Sequence, residues 1–173
     1  LSGKWHQVPL PTTRGFDRYY GLADGCSNFF NPGVKARPGE GLPGRKRSSL
    51  RRWAIEDKVI MGYTSPDKKF YHTDAFTDYA IDRLDEYKDE DKPFVLYLPY
   101  TAPHYPLHAW PEDIAKYRGK YKIGWDKIRE QRFKRMNEMG IIGPNHKLTP
   151  RASKAWEDLT DDQIGEDHGR LAV

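Results

Sequence analysis

A single cysteine, Cys26, occurs in the chain. That excludes a disulfide within it and leaves the redox compartment open. No run of about 18 apolar residues is present, so no transmembrane helix is expected, and no signal-peptide pattern opens the sequence. Aliphatic residues are scarce: apolar residues make up 37% of the 173, charged residues 31%, and the mean hydropathy is −0.89. Aromatics are plentiful at 13%, which separates the chain from disordered segments of low aromatic content. The length suits one ordinary domain. Yet the few aliphatics gather in a few places, and the chain reads as the polar, loop-rich part of something larger. It starts on Leu1 inside a motif, and an apolar pattern is only beginning at Leu171-Ala172-Val173. The expectation is an internal fragment.

Charge of one sign is also in short supply, with a net excess of only +4. Much of it lies in one cluster, Arg45, Lys46, Arg47, Arg51 and Arg52. Such a cluster is either a solvated loop or a polyanion contact. No recognition-helix or RNP-type pattern accompanies it, so nucleic acid is not an expected partner.

Periodicity supplies the elements. Pro9, Pro11 and Gly15 break the chain after residue 6. Residues 15–21 are an aromatic-rich short strand or turn, and 23–50 a long irregular stretch. Residues 51–62 suggest a short hairpin. Phe76, Tyr79, Ala80, Leu84 and Tyr87 recur at helical spacing and predict a helix over 73–88, with Thr73 as N-cap and Asp74 in the first turn. Phe94-Val95-Leu96-Tyr97-Leu98 then fits a strand buried on both faces of a sheet. Helix, turn and buried strand make half of an α/β unit. A short helix opens at Pro111 and runs to about Tyr117. A second spans 122–139 and is stopped by Gly140. Residues 154–172 are partly helical, with Thr160 as the capping candidate.

Two stretches could carry chemistry. In Gly3-Lys4-Trp5-His6, a cation and an imidazole two residues apart in an extended segment face the same way. In Thr101-Ala102-Pro103-His104-Tyr105-Pro106, a histidine follows the apolar run, at the end where open α/β sheets bind ligands. Either alone is commonplace: Lys-X-His as a surface or core accident, Pro-His-Tyr-Pro as a rigid turn. His72, His108, His146 and His168 read as structural or solvated, with His108 the near-site possibility. Trp5 reads as packing, and Asp17 with Arg18 as a local ion pair or loop anchor.

Together these stretches resemble a known family. Gly3-Lys4-Trp5-His6, Arg14-Gly15-Phe16-Asp17-Arg18-Tyr19-Tyr20-Gly21, Asn28-Phe29-Phe30-Asn31-Pro32, Thr73-Asp74-Ala75-Phe76-Thr77-Asp78, and Lys92-Pro93-Phe94 through Pro103-His104-Tyr105-Pro106 occur in the order and spacing of arylsulfatase-type sulfatases. These belong to the alkaline-phosphatase-like superfamily. The resemblance implies an α/β fold with a mainly parallel sheet flanked by helices, of which residues 1–173 are a partial, loop-rich catalytic domain. It implies sulfuric ester hydrolysis through a formylglycine, with Ca²⁺ or Mg²⁺ held by carboxylates. Lys4 would bind sulfate, His6 would act as the base that releases it, and His104 would bind sulfate or protonate the leaving oxygen. The substrate would be a small-molecule or glycan sulfate ester, and the location periplasmic or secreted. The family's Cys/Ser-X-Pro-X-Arg is absent, since Cys26-Ser27-Asn28 lacks its Pro and Arg. The paired aspartates and the later Asp-Asn/His-Gly are absent too. No metal ligand is therefore assigned in this segment, and the fragment alone is expected to be inactive. Two alternatives remain: a phosphonate or phosphate monoester hydrolase of the same superfamily, or a non-catalytic polyanion-binding module using the 45–52 cluster. Substrate-pocket candidates are 23–50 and 106–153.

Overall fold

The computed structural model describes residues 1–33 and 50–164. The chain divides into two compact units, Leu1–His108 and Ala109–Val173.

In the first unit a three-stranded antiparallel sheet has the order β1 (Tyr20–Leu22), β2 (Arg52–Ile55), β3 (Lys58–Met61). The expected hairpin is β2–β3, in register Ile55↔Lys58, with Glu56 at φ 54° in its two-residue turn. Glu56 is held there by its neighbours: its carboxylate accepts from the Tyr19 amide at 3.1 Å and the Tyr79 hydroxyl at 2.8 Å. Side-chain alternation on β2 then builds two cores. Trp53 enters a cluster with Leu22, Phe70 and Phe76. Ala54, on the other face, joins Leu1 and Tyr19, with Trp5, Leu10 and Phe16 packed around them. Rings replace the missing aliphatics: Trp53 stacks on Phe76 at 5.6 Å and on Tyr63 at 5.5 Å.

The helix α1 spans His72–Tyr87 and buries Phe76 and Ala80. Its N-cap is Tyr71, in extended conformation, not Thr73. Thr73 is the second helical residue, where its carbonyl accepts from the Thr77 hydroxyl. Arg18 anchors to this helix through Tyr87 at 3.0 Å and Glu86 at 3.3 Å. The expected Asp17–Arg18 pair is thereby corrected to a longer-range anchor.

Residues 1–5 run between β1 and 97–99. Gly3 and Trp5 amides donate to the Tyr20 and Leu22 carbonyls at 2.9 and 2.8 Å, and Ser2 bridges Tyr20 in parallel. On the other side, Ser2 and Lys4 amides donate to Tyr97 and Pro99 carbonyls at 3.1 and 2.8 Å. Both partners advance together, so this pairing is also parallel. Its return bond would come from residue 99, and Pro99 has no N–H to give. That rung is missing between the two bonds, and the pairing is reduced to them. Residues 94–98 are not the doubly buried strand expected, because the side chains of 94–97 are exposed. Val95 is 84% exposed and Phe94 65%, and Leu96 and Leu98 make no backbone hydrogen bond among the described residues. The named sheet is antiparallel rather than mainly parallel, and parallel pairing is confined to these few bonds.

The backbones approach closely here. A Cβ on Gly21 (φ 151°) would strike the Gly3 carbonyl, and one on Gly3 (φ 140°) would strike the Pro99 carbonyl.

In the second unit α2 (Pro111–Tyr117) starts at its proline, with Glu112 and Asp113 in the first turn. The next helix, α3 (Gly124–Glu138), ends before Gly140, whose φ of 69° stops it. Gly124 lies against the Trp156 ring, and Trp125 meets Trp156 edge to face at 5.1 Å. Residues 161–164 are helical. Thr160 and Gln163 exchange side-chain and amide hydrogen bonds at 3.2 and 3.3 Å, a capping box. The expected continuation to 172 lies outside the described residues.

Candidate active site

The three candidate residues lie outside the sheet on two adjacent segments, Lys4 and His6 on the one that pairs with β1 and His104 just past the one that pairs with it in turn. Lys4 is half-buried, and its amide bond to Pro99 joins its segment to the one that leads into His104. The Ser2 hydroxyl donates to the Phe76 carbonyl at 2.7 Å, which ties the Lys4 segment to α1 as well.

His6 departs from expectation. Its φ is 55°, so the extended alternation that would align it with Lys4 ends at this residue. Its exposed ring lies against Gly25, where an added Cβ would fall 2.6 Å from Nε2. Gly25 follows Asp24, which is fixed by β2: Arg52 donates its amide to Oδ2 at 2.8 Å and its Nε to Oδ1 at 2.9 Å. The loop that seats His6 is thus held by a two-point contact. Sequence reasoning missed Asp24 and Gly25, and the Asp-Gly pair inside 23–50 was the available signal.

His104 is exposed, between the cis bonds Ala102–Pro103 and Tyr105–Pro106. Its amide donates to Thr101 at 2.9 Å, closing a tight turn. Its Nδ1 is 2.7 Å from the Tyr105 carbonyl. A carbonyl only accepts, so Nδ1 carries the proton and Nε2 is the nitrogen left to act on a ligand.

The remaining histidines sort differently. His108 is buried among Phe29, Phe30 and Tyr71, and its Nδ1 accepts from the Phe29 amide at 3.3 Å. It is a core residue, as is His72. His146 is exposed, with its Nδ1 3.1 Å from the Gly143 carbonyl. His168 lies outside the described residues. The Trp5 ring packs edge-on against Phe16 at 6.3 Å, and its Nε1 donates to Pro9.

His72 has its Nε2 3.2 Å from the buried Ser27 hydroxyl, while Nδ1 has no hydrogen-bond partner. Burial, with His108 adding repulsion, pushes its pKa down to about 3 from an ordinary 6.5. The folded state therefore holds His72 neutral while the unfolded state takes up a proton below pH 6.5. Stability from this residue is full above pH 6.5 and falls as the pH drops towards 3. Denaturant unfolding should show a loss of about 2 kcal/mol between pH 6.5 and pH 5, at roughly 1.4 kcal/mol per pH unit. His72→Phe should flatten that slope, and an unchanged slope would assign the acid sensitivity elsewhere.

The basic cluster does not form the expected open face where it is described. Arg52 is engaged by Asp24. Arg51 is only 8% exposed, with Nε and Nη2 unbonded. Arg45, Lys46 and Arg47 lie outside the described residues. The polyanion-binding alternative loses Arg51 as a surface contact, while the half-buried Arg52 already has Asp24 as its counterion.

No group of three His, Cys, Asp or Glu side chains among the described residues could hold a metal ion. Asp24, the acid nearest in sequence to Gly25, has both oxygens committed to Arg52. These residues do not fit a Ca²⁺ or Mg²⁺ site. Nor does Ser27 fit a nucleophile, since it is fully buried against His72.

A family model described as Sulfatase matches residues 1–160. Among curated relatives, an uncharacterized sulfatase of Schizosaccharomyces pombe is 32% identical, over 94% of this chain and 29% of its own length. An arylsulfatase of Klebsiella aerogenes is 28% identical, over 94% of this chain and 34% of its own length. The chain thus spans about a third of the length of these relatives. A solved structure, Ps i-CgsB in complex with k-i-k-neocarrahexaose, is similar at a TM-score of 0.44. Its identity is 31%, over 66% of this chain and 26% of that chain. The family match takes in the Lys4 segment, the Gly25 loop that seats His6, and the turn that carries His104, so this chain belongs to the sulfatases, a family of sulfuric ester hydrolases.

Proposed function

We propose that the protein carrying this chain hydrolyses sulfate esters, and that Lys4, His6 and His104 are this chain's contribution to the reaction. The observation that supports this most directly is the Lys4–Pro99 hydrogen bond. It fixes a cation-bearing segment beside the one that ends in an exposed imidazole. A sulfate ester is anionic before, during and after cleavage, so a fixed cation at its oxygens lowers the barrier. Lys4 supplies that charge. The leaving alcohol departs as an oxyanion that needs a proton, and His104 supplies it as an imidazolium: Nε2–H gives its proton to the oxygen while Nδ1–H stays on the Tyr105 carbonyl, leaving the neutral ring. His6, seated on Gly25, serves as the base that releases the product. The family's nucleophile and metal ligands are not among these residues, and this chain's share is the charge, the acid and the base around them.

The same reading extends to the fold. The open edge at Leu96 and Leu98 and the apolar faces of 94–97 support a mainly parallel sheet that continues beyond this edge in the whole protein.

One pair of samples tests both points. The whole protein should turn over 4-nitrophenyl sulfate, and prefer it to 4-nitrophenyl phosphate and a phenylphosphonate ester. The isolated chain should not turn it over. Amide exchange at Leu96 and Leu98 should be slow in the whole protein and fast in the isolated chain. Turnover by the isolated chain, or preference for the phosphate ester, would overturn the assignment. Fast exchange in both samples would sink the extended sheet.

A further inference from the structure

Directly after the body of α2 the chain reads Lys116-Tyr117-Arg118-Gly119-Lys120-Tyr121-Lys122. This is an alternation of cations and aromatics with no carboxylate. It is a built turn rather than a loose tail. Amides of Arg118, Lys120, Lys122 and Gly124 donate to carbonyls of Ala115, Tyr117, Gly119 and Tyr121 at 3.3, 3.0, 3.4 and 2.9 Å. Gly119 supplies the φ of 81° at the reversal. The Tyr117 and Tyr121 rings are parallel within 1°, with centroids 6.0 Å apart, and Lys120 Nζ stands 4.7 Å over the Tyr117 ring. Tyr117 is 41% exposed, and Arg118, Lys120 and Lys122 are all exposed.

Among the described residues, the charges of this turn find few carboxylates. Lys116 is bonded to Asp113, and on α3 Lys127 and Lys134 face Glu130 and Glu138. Arg118, Lys120 and Lys122 enter no ion pair among the described residues. Three uncompensated cations beside two parallel rings match a ligand with apolar ring faces and several anionic groups. Sugar rings offer C–H faces to aromatics, and sulfate substituents offer the anions.

We infer that residues 116–122 bind a sulfated polysaccharide, so that the substrate of this sulfatase is a polymer held at more than its scissile ester. The inference rests on the proposed sulfate-ester activity for its choice of anion, but its test does not depend on turnover.

The whole protein is compared with two variants, R118Q/K120Q/K122Q and Y117A/Y121A. The probes are dextran sulfate, unsulfated dextran and duplex DNA, each titrated at several salt concentrations. Wild type should bind dextran sulfate, and more tightly than DNA or plain dextran. The charge variant should weaken dextran sulfate binding on the order of tenfold or more and reduce the log–log salt slope by about 1 to 3, as expected when up to three counterion-releasing contacts are lost. The tyrosine variant should weaken binding without changing that slope. Both should leave kcat/KM for 4-nitrophenyl sulfate within twofold of wild type. Unchanged dextran sulfate binding in both variants, equal binding of plain dextran, or tighter binding of DNA would overturn the inference. If the variants lose dextran sulfate binding but the wild type hydrolyses no sulfate ester, the binding site stands and the proposed activity falls.

Discussion

In the whole protein, Lys4→Ala should lower kcat for an aryl sulfate by about 10²–10³-fold, the usual effect of removing one preorganised charge-stabilising group. His104→Ala should cost about 10²–10⁴-fold, the range for a lost general acid, and His6→Ala a loss in the same range as a lost base. The patterns should differ. In the role proposed for it, Lys4 binds the sulfate in the ground state and more strongly in the transition state, so KM should rise along with the fall in kcat. In its proposed role His104 acts on the departing oxygen, so KM should change little. An ester with a more acidic leaving group should then rescue His104→Ala but not Lys4→Ala. Lys4→Arg keeps the charge but presents a planar fork, so it should recover part of the loss. A loss under tenfold for His104→Ala, or no rescue by the better leaving group, would remove its proton-donating role.

A large effect on stability should come from a glycine beside the sheet. Gly3→Ala places a methyl group on the Pro99 carbonyl at a φ of 140°. The obstacle is backbone, which cannot rotate aside as a side chain would. Overpacking costs about 1–3 kcal/mol and a strained backbone about 1–3 more, so roughly 2–6 kcal/mol is expected. That is a large part of a typical domain's 5–15 kcal/mol, roughly stated. Gly15→Ala is the control. Gly15 has a φ of 95° but nothing within 4 Å of an added Cβ. It should cost only the backbone part, about 1 kcal/mol. Denaturant midpoints would separate the two, and equal losses would show that the contact with Pro99 yields easily.

Local patterns in the sequence located most elements. Helical spacing from Phe76 to Tyr87 placed α1 within one residue at each end, because an amphipathic stripe is a property of neighbours along the chain. Pro111, Gly140 and Thr160 marked boundaries for the same reason: each acts through its own backbone or the next turn. What stayed illegible depended on distant contacts. Thr73 resembles a cap, yet the Tyr71–His72 start is set by packing on Phe29, whose carbonyl takes the His72 amide at 2.9 Å. The apolar run 94–98 reads as a doubly buried strand, yet it is largely exposed and only its Tyr97 carbonyl is paired among the described residues, because cover and pairing are not local properties. The candidate site shows the same split. Lys4, His6 and His104 were recognisable as an ordered set. The left-handed backbone of His6 and its seat on Gly25 were not, since alternation arguments presume an unbroken strand.

The exposed run 94–98 also has a consequence for the cell. Chaperones recognise unfolded chains by short apolar stretches in extended conformation with free amide groups. Residues 94–98 present that signature in an otherwise ordered structure. A form of the protein that leaves this edge uncovered would therefore be a target for chaperones, even with its aromatic core intact.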